Sequence, residues 1–147
     1  MIGICISVIV LSFCIRLSSS VSQKNQLDVF TNEMKSAIQY AKLQSLMRGK
    51  KLVLRPVSST NDWSAGMVLF VDNKTHEYRS DKDIVHQWHW KEGAIQISWH
   101  GFQSSSFLVF TPALSSQSLN GTFVFENNVH EQKKLIINRL GRVKDSP

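Results

Sequence analysis

Past residue 14 the chain has no cysteine, and its only two, Cys5 and Cys14, stand in an apolar stretch. A disulfide within the rest of the chain is therefore excluded. Neither cysteine sits at a metal-ligand or C-x-x-C spacing, so both read as small hydrophobes on a helix surface. Proline is absent before Pro56, and no glycine falls between Gly3 and Gly49; nothing interrupts a helix over the first third. No charge precedes Arg16, and no A-x-A pattern follows the apolar stretch, so the basic n-region and cleavage site of a secretory signal peptide are both missing. There is no glycine-rich phosphate loop, no G-x-S-x-G elbow around any serine and no spacing that argues for an acid/base pair. An extracytoplasmic enzyme on a retained anchor would need a polar pocket assembled only by the fold. The sequence implies no enzyme activity, no cofactor and no metal.

What is present is an ordinary globular composition, with 42% hydrophobic and 19% charged residues in 147, and a net charge of +6. That excess suggests anionic partners, nucleic acid or lipid headgroups, or simply a basic solvated face. Residues 2–15 form a nearly unbroken apolar run. Fourteen residues rise about 21 Å as a helix, against a bilayer core of about 30 Å. Beyond it apolar residues return at helical spacing: Leu27, Phe30, Met34, Ile38 and Ala41. One continuous helix to Arg48 follows, about 70 Å long, greasy all round at first and amphipathic later. The first part belongs in lipid, the second against a folded domain, and Gly49 stops it.

The remainder reads as about seven strands with turn chemistry between them: 51–55, 67–71, 83–90, 95–99, 107–110, 122–125 and 135–137. The run Met67-Val68-Leu69-Phe70-Val71 suits a strand buried on both faces, and the serine-rich 113–120 suits a loop. A long helix followed by an antiparallel β domain is an α+β architecture. His86 and His89 are three apart, which on a strand puts them on opposite faces, either as surface groups or as an incomplete metal pair. Trp63, Trp88, Trp90 and Trp99 either pack a sheet core or stack on bases. From Lys133 onward, Lys133, Lys134, Arg139, Arg142 and Lys144 stand against one acid, Asp145. Such a segment is either a solvated terminus or a flexible arm reaching successive phosphates.

The order of these pieces resembles a known family. Gln23-Lys24-Asn25-Gln26-Leu27, Asn32-Glu33-Met34, Ala41-Lys42 and Arg48-Gly49 lead into Trp63-Ser64-Ala65-Gly66 and the apolar run ending at Asp72. Asn120-Gly121-Thr122-Phe123 and Leu135-Ile136-Ile137 then lead to Leu140-Gly141-Arg142-Val143-Lys144. This is similar to the FimT/GspH family of type IV minor pilins and type II secretion pseudopilins, its FimT branch most of all. The resemblance implies a pilin-like fold: residues 1–23 as membrane and filament-core helix, and 24–147 as a periplasmic domain. Within that domain it implies an amphipathic helix at 24–48, a β-rich part at 50–140 and a basic tail at 141–147. It implies a non-enzymatic subunit inserted in the inner membrane by a single span and then assembled with other pilin subunits into a filament. From the FimT branch it implies binding of double-stranded DNA, independent of sequence, for uptake in natural transformation. Its G-R-x-R arm falls on Arg142 and Lys144, with Arg139 as neighbour; the last position is Lys here, which keeps the charge and loses the fork. The GspH branch implies instead a pseudopilin acting in protein secretion by assembly alone. The family's basic leader and processing site have no counterpart before the apolar run, so the resemblance also implies a start upstream of Met1.

Overall fold

The computed structural model describes residues 2–91, 93 and 95–146, with helix side chains described from Asn25 onward. Helix α1 (Ile2–Arg48) leads the chain and ends at Gly49, which takes the left-handed φ of 60° that a glycine adopts at no cost. Eight strands follow: β1 (Leu52–Pro56), β2 (Gly66–Val71), β3 (Ile84–His89), β4 (Ile95–Gly101), β5 (Leu108–Phe110), β6 (Gly121–Asn127), β7 (Gln132–Ile137) and β8 (Val143–Ser146). They form two antiparallel four-stranded sheets, ordered β3-β2-β1-β5 and β4-β6-β7-β8.

The helix lies against both sheets. Leu27, Met34, Ala37, Ile38 and Ala41 enter one core with Leu52, Leu54, Met67 and Leu69 of the first sheet and Ile97, Trp99, Phe123, Phe125, Leu135 and Ile137 of the second. Four of the five residues expected on that helix face are buried; Phe30 is half-buried and meets Trp90 edge to face at 5.5 Å. The stripe also contains polar members. Thr31 turns its hydroxyl back to the Leu27 carbonyl at 2.6 Å, and the Ser45 hydroxyl lies 2.7 Å from the Lys50 carbonyl and 3.1 Å from that of Phe110. Ser45 thereby ties the helix end to edge strand β5.

Strand β2 is buried on both faces, as its continuous apolar run requires. Its second face contributes Val68 and Phe70 to a small cluster with Val53. The loop before β3 closes over that cluster, with the His76 ring stacked on Phe107 at 4.8 Å and Arg55 donating to the His76 carbonyl at 2.9 Å. All four tryptophans pack: Trp63 and Trp99 are buried, while Trp88 and Trp90 are half-buried beside the helix. In β3, His86 stands opposite Leu69 and His89 opposite Gly66, so the two imidazoles face opposite sides.

The largest difference from the sequence expectation is at the end of the chain. Residues 143–146 are not a free arm but the outer strand β8, paired with β7 through Ile137↔Val143, Ile136↔Lys144, Leu135↔Asp145 and Lys134↔Ser146. The run 113–120 is a loop as expected, with one 3-10 turn at Leu114–Ser116. Among the described residues no helix is long and apolar enough to cross a membrane. The side chains of residues 1–24, which carry the expected span and both cysteines, lie outside those described, as does Glu92 of the expected 92–93 turn.

Candidate nucleic-acid interface

Alternation along the second sheet sorts its side chains. Ile97, Trp99, Phe123, Phe125, Leu135 and Ile137 point to the core, so their neighbours point to solvent. Register then assembles the outer face row by row: His100, Thr122, Ile136 and Lys144 form one row, and Ser98, Val124, Lys134 and Ser146 the next. Lys134 and Lys144 are diagonal neighbours across β7 and β8, roughly 7 Å apart. That is inside the ~8 Å Debye length of physiological salt, so each raises the cost of holding the other and a bound anion relieves both. The carboxylate on this face, Glu126, lies in the far row opposite Gln96 and Gln132. The His130 ring at 2.7 Å and the Gln132 amide at 2.8 Å hold it ionised, with a pKa below the ordinary carboxylate value. The face is therefore basic at the β8 end and acidic at its opposite limit.

The turn joining β7 to β8 carries the remaining expected site residues. Asn138 organises it. Its side-chain oxygen accepts the Leu140 amide at 3.0 Å and the Arg142 amide at 2.8 Å, while its own amide donates to the Arg142 carbonyl at 3.0 Å. Gly141 completes the turn at a φ of 77°, where a Cβ would also press on Leu119 at 3.0 Å. Arg139, Arg142 and Lys144 are all exposed. The Arg139 guanidinium rests near the Ser115 and Gln117 carbonyls at 3.3 and 3.4 Å, neutral partners that leave its charge unbalanced. Among the described residues the Arg142 and Lys144 side chains have no acidic partner.

The turn and strand thus bring the three expected residues together on one unit. The rest of the basic segment divides. Lys133 is neutralised by Asp28 of the helix, and Asp145 is turned inward onto Lys35 at 2.6 Å, so the tail's single acid does not face its cations. Lys134 joins the basic face, and His100 lies on the same outer face. Lys134 already counts in the basic segment by sequence, but its place on one face with His100 was not legible, because their partners lie across strands and no local spacing reports register. The one usable signal was the alternation Lys134-Leu135-Ile136-Ile137, which puts Lys134 outward once Leu135 is taken as core. Among the described residues no group of three or more His, Cys, Asp or Glu converges as metal ligands.

The family model for the type II transport protein GspH matches residues 31–141. No curated protein matches the chain. Among solved structures, the fold is similar to the type IV minor pilin FimU of Pseudomonas aeruginosa. The TM-score is 0.66 at 17% identity, over 84% of this chain and 90% of that one. It is also similar to the minor pseudopilin EpsH from the type 2 secretion system of Vibrio cholerae, with a TM-score of 0.56 at 11% identity, over 82% of this chain and 95% of that one. With the helix, the two sheets and a match spanning most of the domain in agreement, the chain belongs to the FimT/GspH family of minor pilins and pseudopilins, structural subunits of type IV pili and type II secretion systems.

Proposed function

We propose that the chain is a minor pilin of a type IV pilus that holds double-stranded DNA during uptake, through Arg139, Arg142 and Lys144. In this reading residues 1–23 anchor it in the inner membrane, and then lie in the filament core among neighbouring pilin helices. The domain from residue 24 is periplasmic before assembly. The observation that carries the reading is the exposed cationic turn and strand, whose only acid, Asp145, is occupied by Lys35 on the other side of the sheet. Arg142 can fork onto a phosphate and Lys144 adds a point charge. Contacts of this kind position a duplex without reading its bases, so affinity is independent of sequence.

The test is fluorescence anisotropy with the full chain in non-ionic detergent and a labelled duplex. Three phosphate contacts give a slope of log affinity against log salt of about −3. Replacing Arg139, Arg142 and Lys144 together by Gln removes measurable binding at physiological salt. Undiminished binding by that variant would refute the assignment. The description of the matching family model favours a second reading, a type II secretion pseudopilin that acts by assembly alone. Under it the wild-type chain leaves the duplex unbound, and deletion of the gene stops protein secretion while transformation continues.

A further inference from the structure

At the end of the second sheet where β8 begins, Gly101, Gly121, Ile137 and Val143 form one row across the four strands. Immediately beyond Gly101 stands Phe102, which is 87% exposed, the most exposed large hydrophobic among the described residues. Its position is built rather than loose. The Trp99 indole lies across Gly101 and Gly121 so closely that a Cβ on either would fall within 2.4 Å of it. From there the indole N–H donates to the Ser104 carbonyl at 2.8 Å and pins the loop. The Phe102 amide donates to the Asn120 carbonyl at 2.9 Å, fixing the backbone that carries the ring. Two glycines, a buried tryptophan and two hydrogen bonds therefore hold an apolar ring out in water, where it gains nothing from the fold.

The opposite end of the same row leads to Arg142 and Lys144. Three strand spacings separate the two, about 14 Å. The outer face between them carries His100, Thr122, Ile136 and Lys144 and no carboxylate. An aromatic face at one end of a row without carboxylates, with Arg142 and Lys144 at the other end, matches a strand whose phosphates meet those cations while one base about 14 Å away leaves its stack. A phosphate-only partner has no use for the ring. A purely apolar partner would be poorly served by the cations.

We propose that Phe102 is a stacking platform for an unpaired base, so that the interface takes single-stranded DNA or a frayed duplex end in preference to continuous duplex. The inference rests on the DNA-binding reading above and adds a base contact to its phosphate contacts. Stacking on an aromatic side chain tolerates any base, because each presents a π-face. The cations hold either form of DNA; the ring adds affinity only where a base is free.

The experiment compares a short labelled single strand with the duplex of the same sequence, using the full chain in non-ionic detergent. Wild type, Phe102→Ala, Phe102→Trp and the Arg142→Gln/Lys144→Gln double variant are measured, each with its melting temperature. The exposed ring contributes little to packing, so the Phe102 variants melt with the wild type. Phe102→Ala weakens single-strand binding about ten-fold and leaves duplex binding within about two-fold. Phe102→Trp keeps both. If Phe102→Ala binds the single strand as wild type does, or loses both forms equally, the platform is overturned while the cationic site stands. If the double variant keeps both forms, the DNA-binding reading fails and the platform with it.

Discussion

At the scale of single residues, the cationic site depends on a side chain with no charge. Asn138 closes the β7–β8 turn through four hydrogen bonds, two of which its side chain accepts. Replacing it by Ala leaves the Leu140 and Arg142 amides to water, which costs about 1 kcal/mol because the turn is exposed. The larger effect is positional: Arg142 follows directly from the freed amide, and its guanidinium loses a fixed origin. Asn138→Ala is expected to lower the melting temperature by a few degrees and to weaken duplex binding several-fold, with the salt slope kept, since no cation has been removed. Urea denaturation and anisotropy on the same preparation separate the two effects. A drop in the salt slope would mean that Arg142 had left the interface altogether. The sequence shows Arg139, Arg142, Lys144 and Gly141 plainly, because cations and a glycine in a short segment are a local signal. Asn138 and Phe102 have no such signal. The first matters through the amides it accepts, and the second through a row of residues drawn from four strands.

At the scale of elements, seven strands and the helix were legible because each carries an apolar pattern or is bounded by turn chemistry. Strand β8 was not. Its sequence, Val143-Lys144-Asp145-Ser146, holds one apolar residue, and its extended state comes from pairing with β7 along Ile136 and Ile137. The division into two sheets was equally hidden, since β4 follows β3 in sequence but pairs with β6. An outer strand with so little buried surface is held by backbone bonds on one side and by the Lys35–Asp145 ion pair on the other. That pair is partly solvated, its side chains 28% and 41% exposed, so it contributes less than about 1 kcal/mol. Asp145→Asn is therefore expected to leave global stability almost unchanged while the amides of residues 143–146 exchange faster with deuterium. It also removes the tail's only acid, so duplex affinity should rise slightly. Hydrogen exchange followed by mass spectrometry checks the first expectation. A loss of protection spread over both sheets would show β8 to be integral to the core instead of an outer strand.

At the scale of the whole molecule, the described part of the helix is what covers the two sheets. Among the described residues, the helix enters the core cluster from Leu27 onward, and its ion pairs to the second sheet run from Asp28 to Lys35. A chain of residues 25–147 keeps Leu27, Met34, Ala37, Ile38 and Ala41, and so keeps the covering of both sheets. It loses helix propagation at its new end, where fraying is expected for the first turn only. This truncated chain should melt within a few degrees of the full one, and its sheet amides should show the same exchange protection. The membrane part of the proposal concerns the residues removed. An apolar run of fourteen residues rises about 21 Å, short of a ~30 Å hydrocarbon core unless the bilayer thins or further apolar residues precede it. Placing six more apolar residues ahead of Ile2 brings the run to about 20 residues, the spanning length. In a vesicle flotation assay the 25–147 chain should stay at the bottom of the gradient and the full chain should float partially. A chain extended by six leucines should float completely and resist extraction at alkaline pH. Complete flotation of the 25–147 chain would move membrane attachment onto the domain, and the anchor reading of residues 1–23 would fall.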